Sequence, residues 1–196
     1  MAGHDAARFL SGWLVIAALV LSFVLWAVLF FVTLPHLQML AGGAQPFDLR
    51  LEGYTDADAR AFLTAIGERG RAYYLNPELV LDSFYPPLYA ASRALALWWL
   101  TMPGRVREGA MPLPWRRLLV ALPILVALLD GGGENVCIAT MIWNWPDLSS
   151  GVVQLSSAAT QAKFLLGALT ELLLVGFAVV WARRRLRSRA AALPKS

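Results

Sequence analysis

One cysteine, Cys137, and two histidines, His4 and His36, stand in a chain of 196 residues. A lone cysteine excludes an intramolecular disulfide and a multi-cysteine metal centre. Two histidines, one of them beside the N-terminus, are too few to build a His-based metal or haem site. The expectation is no metal and no cofactor. Charge is scarce as well: Asp, Glu, Lys and Arg make up 15% of the chain against 58% hydrophobic residues, with a mean hydropathy of +0.57. That balance is too apolar for an ordinary soluble domain. There is no Gly-rich phosphate loop, no HExxH and no serine elbow, so ATPase, metalloprotease and hydrolase chemistry find no support. No internal repeat is visible, which argues against a full secondary transporter.

What the chain does have is long apolar runs. A membrane span needs roughly 20 apolar residues, and four segments qualify, at about 9–34, 79–102, 118–143 and 162–182. The expected architecture is all-α: a polytopic membrane protein, a four-transmembrane-helix bundle forming one domain over residues 1–182. Residues 35–78 would form an extracytoplasmic cap, and 183–196 a basic, disordered cytoplasmic tail. The first span is too long for the apolar region of a signal peptide and is read as an uncleaved anchor.

Orientation follows from Lys and Arg. Arg105, Arg107, Arg116 and Arg117 crowd the connection after the second span, and Arg183, Arg184, Arg185, Arg187, Arg189 and Lys195 follow the fourth. Residues 144–161 contain no Lys or Arg. Both termini are therefore expected in the cytoplasm of a bacterial-type inner membrane. Anionic lipid, rather than nucleic acid, suits a basic tail placed just past a span. Trp98, Trp99, Trp115, Trp13 and Trp181 suit the inner interface and Trp143 and Trp145 the outer, whereas Trp26 lies deeper, where it could line a pocket. In the cap, Thr55-Asp56-Ala57-Asp58 reads as a helix start with an acid three residues after a Thr N-cap. Phe62, Leu63 and Ile66 then share one face of an amphipathic helix that Gly67 or Gly70 can stop. Such a segment is either a solvated cap or a lid over a pocket.

The third span carries Asp130-Gly131-Gly132-Gly133-Glu134-Asn135 in its middle. A charge at that depth costs at least about 2.5 kcal/mol, so a carboxyl there needs a partner or a task. At about 1.5 Å per residue, Asp130, Glu171 and Arg93 fall at similar depth, while Glu134 and Asp82 lie nearer the outer face. Asp130 and Glu134, four apart, stack on one helix face. Two such carboxyls disfavour double ionisation, which makes one a candidate proton donor and the other a partner for a cation. The candidate catalytic pair is thus Asp130 and Glu134. Asp82, Arg93, Asn135, Glu171, Trp26 and Tyr85 are candidate ligand-binding residues. Lys163 can snorkel outward. A purely structural reading stands beside this one: Arg93 paired with Glu171 or Asp130 to fix helix packing, and glycines that only let helices approach.

Some fragments carry a resemblance. His36-Leu37-Gln38, the stretch Glu78-Leu79-Val80-Leu81-Asp82 with Phe84-Tyr85-Pro86-Pro87-Leu88-Tyr89, and Pro123-Ile124-Leu125 resemble the EXPERA group, the sterol isomerases and sigma-2 receptors, although His36 stands where that group has an acid. Phe47-Asp48-Leu49-Arg50, Gly53-Tyr54, Gly70-Arg71 and the polar run of the third span are also similar to a family of bacterial four-helix membrane proteins. The EXPERA likeness implies a membrane bundle with a buried pair of acids in a lipid-accessible pocket. The functional expectation is binding of a small lipophilic or cationic molecule at an intramembrane acidic site, with isomerisation as the natural chemistry if it is an enzyme. The alternatives are a structural or assembly subunit, as a homo-oligomer or within a membrane complex, and a proton or ion pathway.

Overall fold

A computed structural model describes residues 12–106, 108–109 and 111–191. His4, the first residues of the expected first span and the last five residues of the tail lie outside it. The described residues are helical or irregular, with no strand among them.

The N-terminal helix runs Gly12–Leu40, longer than the expected span. Pro35 lies inside it and has no N–H for the helical ladder. The chain adapts with a wide π-type turn over Leu29–Thr33, in which the Leu34 N–H donates to the Leu29 carbonyl and the Thr33 hydroxyl donates to that same oxygen at 3.1 Å. Such bulges let a helix absorb a residue without ending.

Residues 47–78 then fold against the bundle. One 3-10 turn, Phe47–Leu49, leads to the helix Asp56–Ala65, whose start is the reciprocal cap expected from the sequence: the Thr55 N–H donates to Asp58 at 2.8 Å and the Asp58 N–H to the Thr55 hydroxyl at 3.3 Å. Gly67, at φ +62°, breaks this helix from the next, Gly67–Tyr73. The segment is not a solvated cap. Phe47, Phe62, Leu63, Ile66 and Tyr74 are buried with Leu37, Ile138, Met141 and Val153 in the main hydrophobic core. Burial of each large side chain is worth about 1.5–3 kcal/mol. Gly53, at φ +80°, lies so close to the C-terminal helix that a Cβ would sit 2.7 Å from the Ser157 hydroxyl, which accepts the Tyr54 N–H at 2.8 Å.

After a turn at Tyr74–Glu78 and one short helix, Leu79–Asp82, the chain enters the helix Tyr85–Leu100. Pro86 and Pro87 occupy its first turn, where a missing N–H costs nothing, so they mark its start and not a kink. Residues 113–143 form one continuous helical run, α-helical over Leu113–Ala127 and Val136–Trp143 and π-type over Leu128–Asn135. The C-terminal helix spans Ser150–Ala191. The tail is therefore helical through Ala191, which corrects the expectation of disorder after Arg183. Arg, Leu and Ala are strong helix formers and simply extend the helix they follow.

Two helices, Gly12–Leu40 and the stretch Ser150–Arg189, are long and apolar enough to cross a membrane. Only 17% and 11% of their most apolar windows are buried, the reverse of a soluble core helix. Trp13, Phe31, Leu165 and Leu172 are more than half exposed. One end of the bundle gathers arginine and tryptophan. The Arg116 guanidinium lies 3.6 Å over Trp98, Arg105 3.9 Å over Trp99, and Trp99 packs edge-on against Trp181 at 5.2 Å. Arg184 reaches Glu108 at 4.0 Å, so Glu108 and the last turns of the C-terminal helix share this end.

Candidate functional site

Apolar helices carry few polar residues, and in this chain the polar residues turn inward to the same place. The C-terminal helix shows it most clearly. Ser156, Thr160, Lys163, Gly167 and Thr170 recur at steps of three and four, one face of a helix, and Glu171, four after Gly167, borders it. Ser156, Thr160 and Thr170 on that face are fully buried. Opposite stands the π-type turn Leu128–Asn135, which places Asp130, Glu134 and Asn135 in the interior. Gly133 lets these two helices meet: a Cβ there would lie 3.1 Å from that of Ala159. Gly131 would keep an ordinary 3.5 Å from Pro86, and Gly132 meets nothing.

The Lys163 ammonium lies between two acids, 2.7 Å from Asp130 and in contact with Glu134. It does not snorkel outward, because two buried carboxyls hold it more strongly than distant water. Glu134 also accepts the Thr160 hydroxyl. Asp82 accepts from the Asn135 amide at 2.6 Å. Asp48 accepts the Tyr74 hydroxyl. Arg93 donates to Glu171 at 2.9 Å and to the Ser22 hydroxyl at 2.5 Å, with its guanidinium 4.5 Å over the Tyr89 ring. Glu78 is 1% exposed, and its Oε2 has no hydrogen-bond partner among the described residues.

These groups border a cavity of about 540 Å³. The N-terminal helix gives it an aromatic wall, where Trp26 stacks on Phe30 at 5.1 Å and tilts against Phe23 at 5.4 Å. Leu29 and Leu34 extend that wall from either end of the π-type turn. The opposite side presents Asp48, Glu78, Asp82, Asp130 and Glu171 with Arg93 and Lys163. Burial drives the Glu78 carboxyl well above the usual carboxylate range, with Asp48 and Asp82 pushing the same way. Burial likewise raises Asp48, against the opposing pull of Lys163 and the Tyr74 hydrogen bond. Tyr74 is raised well above the ordinary phenol value, first by burial and then by Asp48. In a water-poor interior each unpaired ionised carboxyl is costly, so the site favours either a proton or an incoming cation.

Of the residues expected from sequence, Asp82, Arg93, Asp130, Glu171, Trp26 and Tyr85 all border the cavity. Glu134 and Asn135 are buried behind it, bonded to Lys163 and Asp82. Arg93 meets Glu171 and not Asp130, which belongs to Lys163. Asp48, Glu78, Lys163 and Thr160 were not singled out as site residues. The i, i+4 spacing of Glu78 and Asp82 signals Glu78, and the polar stripe on the last helix signals Lys163 and Thr160; Asp48, in the 3-10 turn Phe47–Leu49, carries no such spacing. No group of three or more His, Cys, Asp or Glu side chains suited to a metal ion occurs among the described residues. The chain matches no protein-family model, no curated protein and no solved structure.

Proposed function

We propose that the chain is a four-span protein of a bacterial-type inner membrane that binds a small lipophilic cation in the cavity between its helices. The N- and C-termini lie in the cytoplasm, and residues 35–78 cover the outer mouth. The observation that carries the ligand class is the charge imbalance. Five buried carboxyls, Asp48, Glu78, Asp82, Asp130 and Glu134, and the partly exposed Glu171 face two cations, Arg93 and Lys163, beside a wall of Trp26, Phe23 and Phe30. Apolar walls with a few convergent polar groups describe a small-molecule site, and an aromatic wall also attracts cations.

Support for four spans comes from exposure. In the 113–143 run, Leu118, Ile124, Leu125, Leu128 and Val136 point outward and are exposed, as lipid-facing residues would be. The helix Tyr85–Leu100 packs between this run and the N-terminal helix. The arginine–tryptophan end suits the cytoplasmic interface and its anionic lipid. Lys163 occupies both Asp130 and Glu134, so the arrangement supports binding over a two-carboxyl isomerisation.

The test is a matched series on protein in lipid nanodiscs: 4-phenylbutylamine, phenylbutyltrimethylammonium, 4-phenylbutanol and 4-phenylbutanoate. The cations should raise the melting temperature and quench tryptophan fluorescence at concentrations where the alcohol and the carboxylate do neither. Equal effects of cation and alcohol would remove the case for a cation site.

A further inference from the structure

We propose that Glu78 is the anchor of the site and that it selects a cation carrying an N–H donor. The ligand is then a protonated amine, as a free amphiphilic amine or as the primary amine of a phospholipid headgroup, and not a quaternary ammonium. This rests on the cation-binding reading and deepens it.

The argument is one of occupancy. Each other carboxyl of the site already has a partner on the protein. Asp130 and Glu134 hold Lys163, Glu171 holds Arg93, Asp82 holds Asn135, and Asp48 holds Tyr74. Glu78 borders the same cavity, is 1% exposed, and keeps Oε2 without a partner. Buried polar atoms in folded proteins are almost always bonded, so an orphan acceptor on a residue that borders a cavity marks where a donor is expected. Neither cation that borders the cavity is free to serve it. Lys163 is shared between two acids, and Arg93 is held by Glu171, Ser22 and the Tyr89 ring.

An acceptor with this geometry calls for a hydrogen bond as well as a charge. An alkylammonium supplies both, whereas a trimethylammonium offers only charge, spread behind three methyl groups. The aromatic wall takes the apolar part of either molecule, so the difference between the two reads out the anchor alone.

The experiment compares 4-phenylbutylamine with phenylbutyltrimethylammonium on wild type and on Glu78→Gln in nanodiscs. In wild type the amine should bind at least roughly tenfold tighter, and Glu78→Gln should erase that preference, as expected for one charge-assisted hydrogen bond. Equal affinity of the two cations for wild type would overturn the role of Glu78 and leave the cation site standing. Binding of neither would end both readings. If the variant fails to fold, the wild-type comparison still decides. Native mass spectrometry separates the sources. Retention of phosphatidylethanolamine over phosphatidylcholine by wild type assigns the amine to a lipid. Amine selectivity with no such retention assigns it to a free molecule.

Discussion

The two ends of this bundle handle charge in opposite ways. At one end acids lie inside, all but Glu78 facing a lysine, an arginine, an amide or a hydroxyl, around a cavity with an aromatic wall. At the other, arginines lie near the surface and stack on tryptophan: Arg116 on Trp98, Arg105 on Trp99 and Arg185 on Trp181. A guanidinium over an indole keeps part of its hydration and contributes about 0.5–1 kcal/mol. A carboxyl in the interior has no such fallback. Its stability depends on one particular partner, so the acidic end is specific where the basic end is tolerant.

The largest break in that contrast is Lys163→Met. It leaves Asp130 and Glu134 buried beside each other without a cation, and should cost about 3–5 kcal/mol, read by thermal unfolding in detergent. Adding Asp130→Asn and Glu134→Gln to the same chain should recover most of the loss. Arg116→Ala at the basic end should shift unfolding by no more than about 1 kcal/mol. An equal loss at the two ends would erase the distinction.

A smaller effect is expected where residues 47–78 meet the C-terminal helix. Gly53→Ala forces a side chain into a positive-φ position and against the Ser157 hydroxyl. It should destabilise by about 1–2 kcal/mol, with the loss seen as faster amide exchange in residues 47–78. Unchanged exchange there would show that this contact does not hold the segment down.

The smallest effect is at the helix cap. The Thr55 side chain and backbone N–H hold the Asp58 carboxyl below its usual range. A carboxyl with a lowered folded-state pKa contributes stability above its unfolded value and loses it as pH falls through the folded one. Thr55→Ala should therefore cost about 1 kcal/mol at neutral pH. The gap between variant and wild type should narrow below about pH 4, where the unfolded carboxyl takes up its proton. Chemical unfolding at a series of pH values would check both statements.

Much of the helical framework was legible because it depends on local rules. Thr55 and Asp58 are three residues apart, and that spacing alone sets a helix start. Pro86 and Pro87 could open a helix or kink one, and the local sequence left both open. The inward polar face of the last helix was written in Ser156, Thr160, Lys163, Thr170 and Glu171, but a lysine at the edge of a span reads equally well as one reaching for the interface. Only the position of Asp130 and Glu134 across the helix contact turned it inward.

The amino-acid sequence by itself determined the all-helical character, the apolar exterior and the presence of acids in the middle of an apolar run, because composition and periodicity act within a few turns. It did not determine which carboxyl takes which cation. Arg93 with Glu171, Lys163 with Asp130 and Glu134, and Glu78 with no partner are pairings across 78, 33 and 29 residues or left unmade. They depend on helix rotation and on the π-type turns at Leu29–Thr33 and Leu128–Asn135, and the packing of the whole bundle fixes those.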